Sequence, residues 1–167
     1  MKRTDPFMRA SLQGEQVIQE RGISAFPVDP IAIARECDIE VVAKPAQAEG
    51  VSGMLLRVGN SYGIVYATHV NNAGFERFSI AHELGHFFLP GHIDAVLCNS
   101  DIHESRAGFG SGDRYELEAD HFAAALLMPE HAVRDEWENV KSVKALAHRF
   151  NVSEAAMAIR LVQLGLA

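Results

Sequence analysis

Hydrophobic positions in the first third of the chain recur mostly at the spacing typical of helices. Residues 7–21 show a loose helical period of apolar side chains, and Gly22 is a natural stop. The pair Asp29-Pro30 is typical of a helix N-cap followed by proline at the first helical position. We therefore expect a second, short helix that runs from this pair to Cys37.

The next segment has the composition of β-strands. Residues 39–43 form a short β-rich run, and residues 53–58 and 62–67 are apolar runs on either side of residues 59–61. This arrangement predicts a β-hairpin with a three-residue loop. The pattern indicates a short, mainly antiparallel sheet, and we expect the hairpin to offer an edge strand to an extended peptide.

A helix predicted at residues 76–88 is apolar nearly all round, which favours burial. It contains His82, Glu83 and His86 in the pattern His-Glu-x-x-His. Histidines four residues apart lie one turn apart on the same helix face, so both imidazoles can reach one metal ion. On a helix, this pattern is the zinc-protease signature, in which the glutamate serves as general base for a water molecule.

Two histidines leave a catalytic zinc site one protein ligand short. A strong helix predicted at residues 115–128 offers Glu116, Glu118, Asp120 and His121. Glu116 and Asp120 lie one turn apart, beside small residues that allow close approach to another helix. Our first interpretation is that Glu116 binds zinc and Asp120 accepts the ring N–H of a ligand histidine. Glu118 is the second choice of ligand.

Other polar residues are weaker candidates for the site. Residues 89–113 are irregular, and a loop of that length is usually functional. The spare histidines, each more typical of a surface or a supporting position, are His69, His92, His103 and His121. An oxyanion formed during peptide hydrolysis needs a donor, for which the candidates are Tyr115, His103 and Arg114. Cys98 follows the motif closely enough for an inhibitory thiolate on zinc to be considered.

The C-terminal segment predicts further helices. One is expected at 130–137, and Ser142 and Ser153 are expected to cap helices at 143–150 and 154–164. The last two resemble a helix-turn-helix with a positive local charge, which raises the alternative of a DNA-binding regulator. The second of them is mostly apolar, so we interpret the two as a structural pair.

Length, composition and charge limit the class of protein. The chain of 167 residues predicts one domain at 1–140 with a helical extension at 141–167 packed on it. A net charge of −7 disfavours nonspecific nucleic-acid binding. No apolar run suits a membrane span or a secretory signal, and the two cysteines lack metal-ligand spacing. We therefore expect a cytoplasmic protein with free thiols.

Several segments together resemble the ImmA/IrrE family of bacterial zinc metallopeptidases. The resemblance rests on residues 77–86, 89–92 and 116–129, with further similarity at 27–30 and 50–54. It implies an α+β fold, a small zincin-like and gluzincin-like metallopeptidase domain. In that fold the hairpin packs on the motif helix, and a second helix carries the remaining ligand. The family pattern Glu-x-x-x-Asp supplies a ligand and its support, and maps onto Glu116 and Asp120.

The resemblance also implies a biological role. Such proteins cleave, or bind and inactivate, a helix-turn-helix repressor, which relieves repression in mobile-element or stress responses. The expected activity is therefore zinc-dependent hydrolysis of a peptide bond in a partner repressor, with Glu83 as the base and His82, His86 and Glu116 as the ligands. The alternative is a zinc-dependent module that inactivates the regulator without cutting it.

Overall fold

The computed structural model describes residues 5–45, 50–68, 72–97, 101–106 and 113–167. Within these ranges the chain is α+β, as predicted, and contains eight helices and a four-stranded mixed sheet. The helices are α1 (Pro6–Glu20), α2 (Pro30–Glu36), α3 (Ala73–Phe88), α4 (His92–Val96), α5 (Arg114–Leu127), α6 (Glu130–Val140), α7 (Val143–Phe150) and α8 (Glu154–Gln163). The strands are β1 (Ile39–Lys44), β2 (Val51–Val58), β3 (Ser61–Ala67) and β4 (Ile102–Arg106). No described helix combines the length and the apolar character that a bilayer span requires.

Side chains cap the helices at the positions that the sequence predicts. The Asp29 carboxylate accepts hydrogen bonds from the backbone N–H groups of Ile31 and Ala32, at 2.9 Å and 3.2 Å. The hydroxyls of Ser142 and Ser153 cap α7 and α8 in the same way. Each cap satisfies donors that have no partner within the helix, so the starts of these helices are specified locally.

The sheet has the strand order β1-β3-β2-β4. Strand β1 pairs with β3 in parallel, whereas β2 pairs with β3 and with β4 in antiparallel fashion. The predicted hairpin of β2 and β3 therefore exists, but it occupies the centre of the sheet. The expectation that it offers an edge strand is wrong, because both of its strands have partners on either side, and β1 and β4 form the edges of the described sheet.

The hairpin loop is shorter than the sequence predicts. Val58 pairs with Ser61, so the loop contains only Gly59 and Asn60 and not three residues. Gly59 has φ of 61°, a left-handed conformation that a type II′ turn requires at its first central position. Glycine adopts it without a steric penalty, so the strands continue pairing to the end of the tight turn.

Two elements begin where the apolar pattern does not show them. Helix α3 starts at Ala73 rather than at Glu76, because the Asn72 side chain accepts a hydrogen bond from the N–H of Phe75 at 3.2 Å. The segment predicted to be irregular contains α4 and β4. Strand β4 has the sequence Ile-His-Glu-Ser-Arg, which lacks an apolar alternation, and it is held by main-chain pairing with β2.

Helix α5 lies at the centre of the helical layer and packs on both α1 and α3. At each contact, a glycine lets the two helix backbones approach closely. A Cβ on Gly14 of α1 would lie 2.6 Å from the carbonyl oxygen of Phe122, and one on Gly85 of α3 would lie 3.1 Å from the Cα of Ala119. The prediction that Ala119 permits a close helix contact is confirmed.

The last helix packs against the rest of the chain. Arg160 of α8 is only 4% exposed, and its Nε donates to the carbonyl oxygen of Met128 at 3.0 Å. Met157 and Leu161 are fully buried beside it. This burial agrees with the interpretation of α7 and α8 as a structural pair, while the boundary at residue 140 stays a prediction.

Candidate metal centre

Helix α3 places its three motif side chains in the interior. His82, Glu83 and His86 are 6%, 0% and 0% exposed. The Nε2 atoms of the two histidines lie 3.1 Å apart. Every residue from 79 to 86 is buried, so this part of the helix is enclosed on all its faces, as the sequence predicts. The two imidazoles therefore point their Nε2 atoms at one common position.

Helix α5 brings Glu116 to the same position. Its Oε2 lies 3.2 Å from Nε2 of His82, and its Oε1 lies 3.1 Å from Nε2 of His86. His103 of β4 approaches from the sheet, with Nε2 3.1 Å from Oε1 of Glu116. One donor atom from each of these four residues lies within 4.8 Å of every other. We call His82, His86, His103 and Glu116 the donor cluster.

Asp120 lies against the other ring nitrogen of His82. Its Oδ1 lies 2.8 Å from Nδ1 of His82. An ionised carboxylate can only accept a hydrogen bond, so Nδ1 of His82 carries the proton. The same ring therefore directs Nε2 to the donor cluster, and the hydrogen bond fixes its orientation.

Glu118 lies outside the donor cluster and bonds elsewhere. Its Oε2 accepts from Nε2 of His92 at 3.0 Å, and its Oε1 accepts from Nε of Arg114 at 2.5 Å. Nδ1 of His92 in turn lies 3.1 Å from Nδ1 of His86. Because Nε2 of His92 donates to Glu118, its Nδ1 can accept the Nδ1–H of His86. His92 and Glu118 thus orient His86 much as Asp120 orients His82.

His92 was only a spare histidine in the sequence interpretation. It is fully buried, and the first turn of α4 carries it under the motif helix. No local pattern marks this role, since the contact joins α3, α4 and α5. The available signals are the family resemblance over residues 89–92 and the presence of a third histidine six residues after His86.

Glu83 differs from its neighbours because its carboxylate has no partner. Neither oxygen has hydrogen-bond geometry with any described residue, although the side chain is fully buried and the Ser105 hydroxyl is near enough to lower the pKa of Glu83. A Cβ on Gly53 of β2 would lie 3.2 Å from Oε1 of Glu83 and 3.2 Å from Oγ of Ser105. The absence of a side chain at Gly53 therefore leaves room for the carboxylate. The sequence analysis assigns no role in the site to Gly53 or Ser105.

Burial and charge shift the pKa values of the cluster in opposite directions. Burial alone would lower the pKa of His82, but its hydrogen bonds to Asp120 and Glu116 outweigh burial and raise it to about 10. Burial lowers the pKa of His86 to about 3. Burial also raises the pKa of Glu83, although the nearby charges of His82 and His103 act to lower it. Without a metal, the positive charge of protonated His82 offsets the negative charges of Asp120 and Glu116. A bound cation can replace that proton.

The donor cluster fits a divalent transition metal. Imidazole and carboxylate donors at about 2.0–2.2 Å around a tetrahedral ion lie about 3.3–3.6 Å from one another. The measured separations of 3.1 Å and 3.2 Å between cluster atoms are close to that range. Three nitrogens and one carboxylate oxygen form a donor set that first-row divalent metals accept.

The remaining candidates lie outside the donor cluster. His121 stacks on Phe7 with ring centroids 5.0 Å apart. Tyr115 contacts the ring of His92 at 4.9 Å, so two of the three candidate oxyanion donors, Tyr115 and Arg114, contact the group that supports His86. His69 and Cys98 lie outside the residues that the structure describes.

This chain is similar to a known metalloprotease and matches a peptidase family model. That relative is the radiation response metalloprotease IrrE of Deinococcus radiodurans, which is 33% identical over 92 residues. That alignment covers 53% of this chain and 27% of the relative, so this chain matches only about a quarter of the relative's length. The family model of the IrrE N-terminal-like domain, a peptidase family, matches residues 34–162. This match covers most of the chain and confirms the resemblance seen in the sequence, and the chain belongs to the IrrE N-terminal-like peptidase family.

Proposed function

We propose that the chain is a zinc-dependent metallopeptidase of the gluzincin type. In this proposal His82, His86 and Glu116 hold the zinc ion, and Glu83 is the catalytic base. The observation that carries the proposal is the buried Glu83 carboxylate, which has no partner among the described residues and lies beside the donor cluster. Such a group is costly to bury unless it serves a reaction or meets a solvent molecule.

The chemistry divides between the ion and the protein. When bound, zinc acidifies water and polarises a substrate carbonyl. The Glu83 carboxylate takes a proton from the attacking water and then gives it to the leaving amine. Its raised pKa, caused by burial, brings it nearer to neutrality, which suits a group that must both accept and return a proton.

The supporting side chains hold the ligands in the orientation that this reaction needs. Asp120 accepts the Nδ1–H of His82, and His92 accepts the Nδ1–H of His86. Each contact keeps a ring nitrogen lone pair directed at the donor cluster. Outer partners of this kind typically contribute about 10–100-fold to metal affinity or activity.

The proposed substrate is a helix-turn-helix repressor in the cytoplasm. The support is the motif resemblance to the ImmA/IrrE family, and the radiation response named for the relative agrees with a stress role. The hairpin is central, so the proposed strand for binding an extended peptide is now β4, the sheet edge that carries His103. A peptide paired with the open side of β4 would lie next to the donor cluster.

A second candidate function is a zinc-dependent module that inactivates the repressor without cleavage. One observation favours it. Four protein donors, and not three, lie close enough to share one ion. Sites with four protein ligands are typically structural, whereas catalytic zinc sites keep a position open.

The test compares the intact chain with Glu83→Gln. Both are incubated with helix-turn-helix proteins encoded beside this gene, and products are followed by mass spectrometry. We expect cleavage by the wild type, a rate about 10²–10⁴-fold lower in Glu83→Gln, and equal zinc content in both. Glu40→Gln, on an exposed position of β1, is the matched control and should cleave normally. Repressor inactivation without any product, equal in all three proteins, would favour the second function instead.

A further inference from the structure

Strand β4 of the sheet carries His103 to the donor cluster. His103 pairs with Leu55 of the central strand β2, so its backbone position is set by the sheet. Its ring centroid lies 4.3 Å from that of His86, at an interplanar angle of 63°. The side chain is 13% exposed, which makes it nearly as enclosed as the ligands on α3.

The Nε2 atom of His103 makes a close polar contact with Glu116. It is buried and lies 3.1 Å from Oε1 of Glu116, an ion-pair distance, but the geometry is not that of an aligned hydrogen bond. Buried polar atoms are nearly always hydrogen-bonded, so an exception points to a partner from outside the chain. Glu116 itself faces three imidazoles at once.

The four donor residues lie close enough together to share one ion. The Nε2 atoms of His82, His86 and His103 and the carboxylate of Glu116 all lie within 4.8 Å of one another. Every measured separation between a cluster histidine and Glu116 is 3.1 Å or 3.2 Å. Four donors at about 2.0–2.2 Å from a tetrahedral ion would lie about 3.3–3.6 Å from one another, so these four residues could together fill the positions of such a site.

We propose that His103 is a fourth protein ligand of the metal, which closes the site until water or a substrate carbonyl replaces it. This inference rests on the proposed metal-dependent function, and it adds that the resting site has no open position. The ligand most easily released is His103, because it alone comes from an edge strand, whereas His82, His86 and Glu116 come from two packed helices. Peptide binding at the β4 edge acts on the same strand.

The first test counts the imidazole ligands of the intact zinc-loaded protein by zinc X-ray absorption spectroscopy. We expect three imidazoles in the wild type, two in His103→Ala and three in His148→Ala. His148 lies on the exposed face of α7 and is the matched control. The wild-type count needs no variant, so it decides the question even if His103→Ala fails to fold.

The second test measures zinc affinity by competition with a chelator and follows azide binding to the cobalt-substituted protein by visible absorption. Removal of a direct ligand should lower affinity by at least about 10-fold, since loss of outer partners already costs about 10–100-fold. Azide should change the cobalt spectrum of His103→Ala at lower concentration than that of the wild type, because a coordination position is open. His148→Ala should match the wild type in both measurements.

The outcomes separate this inference from the proposed function. Two imidazoles in the wild type, with unchanged affinity in His103→Ala, would overturn the fourth-ligand role and leave a three-ligand metallopeptidase. A chain that binds no zinc would overturn both proposals. Three imidazoles together with a weaker, azide-accessible His103→Ala site would support the closed resting state.

Discussion

The two helices that pack on α5 each carry an enclosed carboxylate, Glu15 on α1 and Glu83 on α3, and the two differ in how they are satisfied. On the α1 side, the Glu15 carboxylate accepts from the backbone N–H of Glu130 at 2.6 Å and from Arg160 at 3.2 Å. Arg160 also donates to the carbonyl oxygen of Met128. On the α3 side, both oxygens of Glu83 lack a partner among the described residues. A buried polar group paired within the chain stabilises the fold, whereas an unpaired one needs something from outside it.

The strongest test of this difference removes a predicted ligand. Glu116→Ala should lose metal affinity by more than about 100-fold, since outer partners alone account for about 10–100-fold. Glu118→Ala should lose no more than that range, because Glu118 reaches the cluster only through His92. Elemental analysis and chelator competition measure both. The opposite ranking of the two variants would show that the ligand choice is wrong.

The α1 side should respond in stability and not in metal binding. Arg160→Met keeps the apolar stem but leaves Glu15 without its cation and Met128 without its donor. Removal of one partner of a buried ion pair lowers the free energy of unfolding by about 3–5 kcal/mol. We expect the low end of this range, about 3 kcal/mol, because the Glu15 side chain is 15% exposed. Urea denaturation of the metal-free chain should show this loss, with zinc affinity unchanged. If Arg160→Met folds but loses zinc, the prediction that the α1 side affects stability and not metal binding is wrong.

The two glycines give a matched pair of smaller changes. Gly14→Ala and Gly85→Ala each place a methyl group against α5, at 2.6 Å and 3.1 Å from its backbone. We expect each to cost about 1–3 kcal/mol of stability, with Gly14→Ala the larger. Only Gly85→Ala should also weaken zinc binding, because it separates the helices that carry His86 and Glu116. Equal effects on zinc would mean that α1 also positions the site.

The smallest expected effect is a pH dependence at Glu15. Burial raises the pKa of Glu15 above its ordinary value, although the hydrogen bond from the N–H of Glu130 and the charge of Arg160 act to lower it. The folded chain therefore holds this proton more tightly than the unfolded chain, and the resulting stability is lost as pH rises through the folded pKa. Glu15→Gln has no such proton. Its melting temperature relative to wild type should improve from about pH 4 to about pH 7, as measured by circular dichroism. A difference that stays constant or moves the other way would refute this.

Much of the helical framework was predictable because its signals are local. The capping residues Asp29, Ser142 and Ser153 act on backbone groups two or three residues away, and the predicted starts at these caps agree with the structure. Strand β4 was missed because its residues are polar and its pairing with β2 crosses a long sequence distance. The hairpin was recognised but misplaced at an edge, since strand order depends on β1 and β4 and not on the hairpin itself.

The sequence by itself determined that His82 and His86 share a face and that Glu116 and Asp120 share another, because helical periodicity fixes those relations within one element. Only the tertiary structure placed Glu116 in the donor cluster and Glu118 outside it. Side chains two positions apart on a helix point in different directions. The packing of α5 on α3 at Gly85 turns Glu116 toward the cluster and Glu118 toward His92. The tertiary structure likewise placed His103, because pairing between β4 and β2 is a long-range contact that no local pattern specifies.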